Sequence, residues 1–233
     1  MMIMGDKMYK YETHLHTMPV SRCAVATVEE SLKFYKNLGY DGVFITNHFL
    51  DGNINIDPDA SYAEKIEFYF SDYEKGIEIG EKIGIKVFCG VEISYKGTDF
   101  LIYGLDKEWY LNHPEIMDMK KSDELTFMRE NGAFIIQAHP YREDFYIDHI
   151  RLFPRHVHGV EIVNASRNEA ENSMAKVYCE SYGLIEFAGS DNHKAAQCKN
   201  LAGICCEEPV CNVQDFIEKV KTQKTMIFEL TNL

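Results

Sequence analysis

The sequence predicts an α/β barrel, and three observations carry that prediction. Strand-like apolar runs alternate with amphipathic helical patterns along almost the whole 233-residue chain, the order that builds a mainly parallel sheet. Chelating or charged side chains stand at the carboxyl ends of many of these runs: His14 and His16, His48, Glu92, His139, Glu161 or Asn164, then Asp191 and His193. An open sheet gathers ligands at one crevice, whereas a barrel brings all its strand ends to one mouth. The third observation is size. A chain this long buries a substantial core, and no repeat, low-complexity tract or Pro-rich linker divides it, so a single domain over 1–233 is expected.

The first strand is expected over residues 8–15. The next helix starts at Thr27, where Thr27-Val28-Glu29-Glu30 has the form of a capping box, and stops at Gly39. Residues 42–48 give a second strand. After a polar loop with Asp57-Pro58-Asp59, the residues Ile66, Tyr69, Phe70, Tyr73 and Ile77 fall on one face of a long helix. Residues 85–93 and 100–105 read as the third and fourth strands, with Gly97 at the turn between them. A helix over 114–130 precedes a fifth strand at 133–138, and 160–163 is the sixth. The helix over 169–182 leads into a seventh strand at Ile185; a helix over 213–221 and the run 226–228 complete the pattern.

Acidic side chains outnumber basic ones 37 to 24, a formal charge of -13. Such a field repels a nucleic-acid backbone and an anionic membrane, so the expected partner is a small molecule drawn in by local charge or metal; the oligomeric state is left open. No segment reaches the roughly 18 apolar residues of a membrane span, and residues 1–7 lack a signal-peptide core, which predicts a cytoplasmic protein. Seven cysteines, an odd and scattered number, suit reduced thiols better than a disulfide framework. Cys205, Cys206 and Cys211 lack zinc-ribbon spacing and read as structural.

His14-Leu15-His16 sets two imidazoles on one side of a strand. Asp191 and His193 repeat the spacing after the apolar run 185–188. His139 directly follows the fifth strand, and Glu92 sits in an apolar strand where an unpaired carboxylate is costly. Singly, each has a structural explanation: a core histidine bonded to backbone, or a carboxylate paired with a base. Together, five such residues at corresponding strand ends point to a metal centre. Imidazole mixed with carboxylate suits zinc, manganese or iron, with Glu92 the candidate bridge. Two ions about 3.5 to 4 Å apart would acidify a shared water and clamp a phosphoryl oxygen, which is hydrolase chemistry.

At these residues the chain resembles the polymerase and histidinol phosphatase (PHP) domain family. The resemblance runs from about Tyr9 to Lys194. It rests on His14-Leu15-His16, Thr46-Asn47-His48, Gly90-Val91-Glu92-Ile93, Ala138-His139-Pro140, residues 159–164 and Gly189-Ser190-Asp191-Asn192-His193. It implies a distorted TIM-like (β/α)7 barrel with two or three divalent metal ions at its mouth, and hydrolysis of phosphate esters. Carried over by position, His14, His16, Glu92 and Asp191 would hold one ion, Glu92 and His139 would help hold a second, and His48 and His193 would serve a third or face the substrate. The chain departs from the family in three places. No Asp or His lies between Thr17 and Cys23, where Ser21 or Cys23 is the nearest polar substitute; Asn47 replaces the usual Asp; and Asp99 lies near where a histidine is common. Asp99 reads as a ligand, a supporting partner or a turn residue, with the turn favoured.

The expected activity is hydrolysis of a small phosphomonoester by metal-bound hydroxide, with Asp191 essential and His48 or His193 able to protonate the leaving oxygen. Arg142 and Arg167 follow two strand ends and are candidates for gripping the phosphate. Lys194 is expected to be exposed. His156 and His158 precede the sixth strand and so belong at the opposite end of the barrel; with His113 and His149 they read as structural or surface. Strand alternation separates the faces of Glu161 and Asn164, so at most one should point inward unless the strand bends; Asn164, nearer the mouth, is the better supporting partner. Lys10 and Glu12 share the face of His14 and are expected to pair below it. Competing expectations are a metal-dependent amidohydrolase on a similar barrel, an exonuclease, and a non-catalytic metal-binding regulatory module.

Overall fold

In the computed structural model, which describes residues 7–233, seven strands run round a ring and two more flank it. The start of the sequence, read above for a signal-peptide core, falls outside the described residues apart from Lys7. The ring strands are β1 Tyr9–Leu15, β2 Gly42–Ile45, β3 Lys86–Tyr95, β4 Thr98–Tyr103, β5 Phe134–Ala138, β6 Gly159–Asn164 and β7 Ile185–Gly189; β8 Leu201–Cys206 and β9 Thr225–Leu230 lie outside it. They pair in the order β7-β6-β5-β4-β3-β2-β1-β8-β9. The ring is drawn closed where the chain just past β7 meets β1. Asn192 N–H donates to His14 O at 3.2 Å, and His16 N–H donates to Asn192 O at 3.0 Å. The result is a nearly closed, distorted α/β barrel, as the sequence predicts.

The sheet is less parallel than expected. β1, β2 and β3 are mutually parallel, as are β5, β6 and β7, but β4 runs antiparallel to both β3 and β5. Only Lys96 and Gly97 join β3 to β4, with φ of 51° and 83°. Two residues with positive φ make a tight hairpin, and a two-residue link cannot cross over to a parallel strand. β4 therefore begins at the barrel mouth instead of ending there.

The helices are α1 Val28–Asn37, α2 Tyr62–Ile83, α3 Lys107–Asn112, α4 Lys121–Glu130, α5 Glu169–Tyr182 and α6 Val213–Lys221. α1, α2 and α5 each open with a capping box, at Thr27, Ser61 and Asn168, which satisfies otherwise free backbone donors. The helix expected over 114–130 is two pieces: a 3-10 turn, Pro114–Asp118, breaks before α4 because Met119 and Lys120 are extended. The short α3, capped by Asp106, and the strand β8 are not apparent in the sequence pattern.

Phe44, Phe88, Tyr103, Phe134 and Phe187 are buried at positions of one strand parity and fill the barrel below the strand ends. α6 closes that end with Phe216, whose ring centroid lies 4.4 Å from Phe44 and 6.1 Å from both Tyr103 and Phe187. The opposite end is left as the mouth. The expected Lys10–Glu12 pair does not form. Lys10 lies over the Phe228 ring, while buried Glu12 accepts from Tyr35 Oη at 2.7 Å and from the N–H groups of His14 and Ser190. Among the described residues no helix is long and apolar enough to cross a membrane.

Candidate metal centre

His14, His16, His48, Glu92, His139, Asp191 and His193 all come to the barrel mouth, and all but His193 are buried. β1 carries His14 and β3 carries Glu92; His16, His48, His139 and Asp191 lie just past β1, β2, β5 and β7. The chain after β2 stays in register with β3, since Glu92 N–H donates to Asn47 O at 3.1 Å and Phe49 N–H to Glu92 O at 2.8 Å. Gly189 allows β7 to approach β1: a Cβ there would lie 2.5 Å from the Cβ of His14 and 2.8 Å from Glu161 Oε1. His139 and Asp191 both have positive φ, 24° and 52°. Such non-glycine residues cost on the order of 1–3 kcal/mol each and need surrounding structure to hold them.

The hydrogen bonds fix how the imidazoles face. His14 Nδ1 lies 2.9 Å from Glu161 Oε1, a carboxylate that also accepts from His139 N–H at 3.0 Å and Asn164 Nδ2 at 2.8 Å. Nδ1 must therefore carry a proton, which turns the second ring nitrogen of His14 inward. His16 behaves likewise. Ser21 Oγ gives its hydrogen to Asn47 Oδ1 at 2.8 Å, so it accepts from His16 Nδ1 at 3.1 Å. The two inward Nε2 atoms are 3.1 Å apart. Glu92 divides its oxygens among four rings: Oε1 lies 3.2 Å from His14 Nε2 and 3.5 Å from His139 Nε2, Oε2 3.5 Å from His16 Nε2 and 2.6 Å from His48 Nδ1. Asp191 Oδ1 lies 3.6 and 3.5 Å from the same His14 and His16 nitrogens, and Oδ2 3.8 Å from His139 Nε2.

Carboxylate oxygens and inward ring nitrogens thus converge on one small volume, an arrangement that a cation satisfies. Four triads have ligand atoms within 4.8 Å of one another: His14, His16 and Glu92; His14, His139 and Asp191; Glu92, Asp99 and His139; and His16, His48 and His193. His48 Nδ1 and Glu92 Oε2, and Asp99 Oδ2 and Arg142 Nη2, are held as close ion pairs at 2.6 and 3.1 Å, and His139 Nδ1 is buried without a hydrogen-bond partner, as buried polar atoms rarely are. Imidazole with carboxylate is the donor set expected for divalent zinc, manganese or iron. The residues present fit such an ion.

Electrostatics tell the same story. Burial alone would push His14 down, but Glu161, Asp191 and Glu92 pull it well above the usual imidazole range. Burial would raise Glu92, but the imidazoles of His48, His16 and His14 hold it well below the usual carboxyl range. Asp191 is lowered in the same way, with burial outweighed by His14, His193 and His139. His16, buried and facing His193 and His48, is pushed well below the ordinary value. The carboxylates around His14 thus favour positive charge at the centre, the charge a metal ion would supply.

Two residues, Asp99 and Glu161, are placed differently from expectation. Asp99 is no turn residue: because β4 is reversed, its second position stands at the mouth, with Oδ2 3.9 Å from His139 Nε2 and 3.1 Å from Arg142 Nη2. Glu161, not only Asn164, points inward, because the β6–β7 register shifts between Glu161 and Val163 and the strand bends. Cys23, an exposed residue, lies in the loop whose Val25 N–H donates to His193 O at 2.9 Å. Burial would raise its thiol, but the nearby imidazoles of His193 and His48 bring it down to about 6.

Arg142 lies beside the centre through Asp99, whereas Arg167 is half-buried next to Asn164, lining a groove of about 490 Å³ with Asn172, Lys176 and Asn200. Lys194 is exposed. His158 accepts from Ile135 N–H at 3.1 Å and His156 bonds Thr126, both away from the mouth, while His113 pairs with Glu115 and His149 is exposed.

No protein-family model matches the chain, and no curated protein matches it. Solved structures do. A two-domain protein from Bacteroides vulgatus containing a predicted PHP-like metal-dependent phosphoesterase superposes with a TM-score of 0.68 at 17% identity, over 95% of this chain. The chain spans 65% of the length of that protein. PsfC from Pseudomonas syringae gives 0.60 at 16% identity, covering 97% of this chain and 92% of that one. An amidohydrolase from Chromobacterium violaceum, with bound sulfate and no metal, gives 0.54 at 12% identity over 93% and 97%. The chain has the fold of PHP-like metal-dependent phosphoesterase structures, the family its motifs resemble.

Proposed function

We propose that the protein is a metal-dependent phosphoesterase acting on a small phosphomonoester. The observation that carries this reading is the convergence of the inward nitrogens of His14 and His16 on a Glu92 carboxylate whose two oxygens face different histidines. His14, His16, Glu92, His139 and Asp191 would hold two divalent ions, Glu92 bridging them, with Asp99 within reach of His139. Ions bound there supply an acidified water as nucleophile and neutralise charge on the phosphoryl oxygens. Arg142 would meet a substrate oxygen beyond the ions, and Arg167 the substrate farther out; a guanidinium offers two parallel donors to a phosphate. His48 and His193, at the outer edge, would serve a third ion or give the leaving oxygen its proton.

The fold likeness to an amidohydrolase favours a second reading, hydrolysis of an amide at the same centre. Both readings are separated by one assay. Phosphate release is measured from a panel of phosphomonoesters, nucleotides and short oligonucleotides, with protein loaded separately with manganese, zinc and iron under anoxic conditions. Turnover that requires metal and disappears in Asp191→Ala is the expected result. Amide hydrolysis without phosphate release would favour the second reading, and silence from folded, metal-loaded protein would leave a metal-binding module.

A further inference from the structure

Asp72 is a buried carboxylate outside the cluster of candidate ligands. It stands midway along α2, 3% exposed, on the side of the helix that buries Tyr69 and Phe70. A buried carboxylate is costly unless it is bonded; burial raises Asp72 above the ordinary value, with the Thr17 hydroxyl pulling the other way. Its Oδ2 accepts from Thr17 Oγ1 at 2.8 Å and from Asn47 Nδ2 at 3.4 Å. Both partners are buried and adjoin candidate ligands in the chain, since Thr17 follows His16 and Asn47 precedes His48.

Between Asp72 and His16 the hydrogen bonds all run one way. An ionised carboxylate only accepts, so the single hydrogen of the Thr17 hydroxyl goes to Oδ2, and Thr17 Oγ1 accepts from Asn47 Nδ2 at 3.0 Å. That turns Asn47 Oδ1 the other way, where it accepts from Thr17 N–H at 2.7 Å and from Ser21 Oγ at 2.8 Å. Ser21 Oγ has then given up its hydrogen, and it accepts from His48 N–H and from His16 Nδ1, each at 3.1 Å. Hydrogen bonds aligned in series polarise one another.

We propose that Asp72 is a positioning residue for the metal centre, the terminal acceptor of a relay through Thr17, Asn47 and Ser21 that holds the proton of His16 on Nδ1 and leaves the Nε2 lone pair for an ion. The proposal rests on the metal reading above. A ligand histidine whose outer N–H is drawn toward a carboxylate is a stronger donor, and here the carboxylate acts from a helix, three side chains away. The amide at position 47 belongs to the same arrangement. An aspartate there would put a second carboxylate oxygen in the place of Nδ2, 3.4 Å from Asp72 Oδ2, where like charges repel.

Exchanging the two side chains tests the relay. Zinc affinity of the full chain is measured by competition with a chromophoric chelator for wild type, Asp72→Asn, Asn47→Asp and the double variant, with cooperative unfolding checked in each. Asp72→Asn should bind zinc about 10–100-fold more weakly, because the relay loses its charged end, and Asn47→Asp should lose affinity through repulsion. The double variant restores one carboxylate and one amide and should recover most of the loss, whereas packing defects at two positions would add. In metal-free wild type, long-range proton–nitrogen correlation spectra of the histidine rings should show the His16 proton on Nδ1. Wild-type affinity in folded Asp72→Asn, a double variant no tighter than the single ones, or a His16 proton on Nε2 would each overturn the relay and leave the phosphoesterase reading intact. Should a single variant fail to fold, the double variant decides: affinity near wild type supports the relay, and a deficit or failure to fold overturns it. Absence of zinc binding by wild type would remove the metal reading itself, and this proposal with it.

Discussion

Glu161 shows how a residue that touches no substrate can govern a centre. Its Oε1 fixes the proton of His14 on Nδ1, and its Oε2 holds the backbone of His139 and the amide of Asn164. Glu161→Gln keeps the shape but offers an amide that can donate to His14 Nδ1, which would place the lone pair on the wrong nitrogen. Loss of such a partner weakens metal affinity about 10–100-fold. Isothermal titration of zinc into the variant should show that loss while the unfolding transition stays cooperative; unchanged affinity would mean that packing against Gly189 alone orients the ring. The residues legible in the sequence were those whose role depends on local spacing: His14 and His16 two apart, Asp191 and His193 two apart, His139 beside a proline. Asp99, Glu161 and Cys23 were named in the sequence without a settled place at the site, because each depends on a nonlocal event. The events are the reversal of β4, the bend in β6, and a loop pinned to the other end of the chain.

At the scale of elements, the junction of β5, β6 and β7 turns on His158, away from the mouth. Its Nδ1 accepts from Ile135 N–H, its own N–H donates to Ile135 O at 2.8 Å, and its carbonyl accepts from Ile185 N–H at 3.1 Å. Burial, with Lys221 and Arg129 nearby, lowers its pKa to about 4, below the roughly 6.5 of an unfolded histidine. Between those values the unfolded chain binds more protons than the folded one. The contribution of this group to stability is therefore complete above about pH 6.5 and is lost as pH falls toward 4. His158→Asn retains an acceptor near the Ile135 amide and does not titrate. Urea unfolding in excess chelator should show wild type losing stability relative to the variant between pH 7 and 4.5; a constant difference would mean that His158 is not held neutral. The helices were well marked in the sequence, because caps such as Thr27 and the apolar face of α2 are local signals. β4 and β8 were harder, since the direction of a buried strand is set by its partners and by the length of the link before it.

The whole molecule divides its barrel between two physical tasks. Around Phe216 the lower end is an aromatic plug whose burial favours folding at about 1.5–3 kcal/mol per large side chain, while the mouth buries Glu92, Asp99, Glu161 and Asp191 around a few imidazoles. That mouth is expensive, because buried charges need partners and two of its residues sit in left-handed backbone. The surrounding field sharpens this, as the chain carries a formal charge of -13. An ion that binds only the folded state returns free energy as RT ln(1 + [L]/Kd), about 2.7 kcal/mol at one hundred times Kd. For a domain of this size each kcal/mol shifts Tm by roughly 2–4 °C, so saturating zinc or manganese should raise the melting temperature of chelator-treated protein by on the order of 5–10 °C. Asp191→Asn keeps the backbone and most of the volume but removes a ligand charge shared by His14, His16 and His139. Differential scanning calorimetry should show the metal-induced shift collapse in that variant while its metal-free transition remains cooperative. A full shift in Asp191→Asn would place the ions elsewhere; no shift in wild type would mean that the folded mouth is held together by its own protons alone.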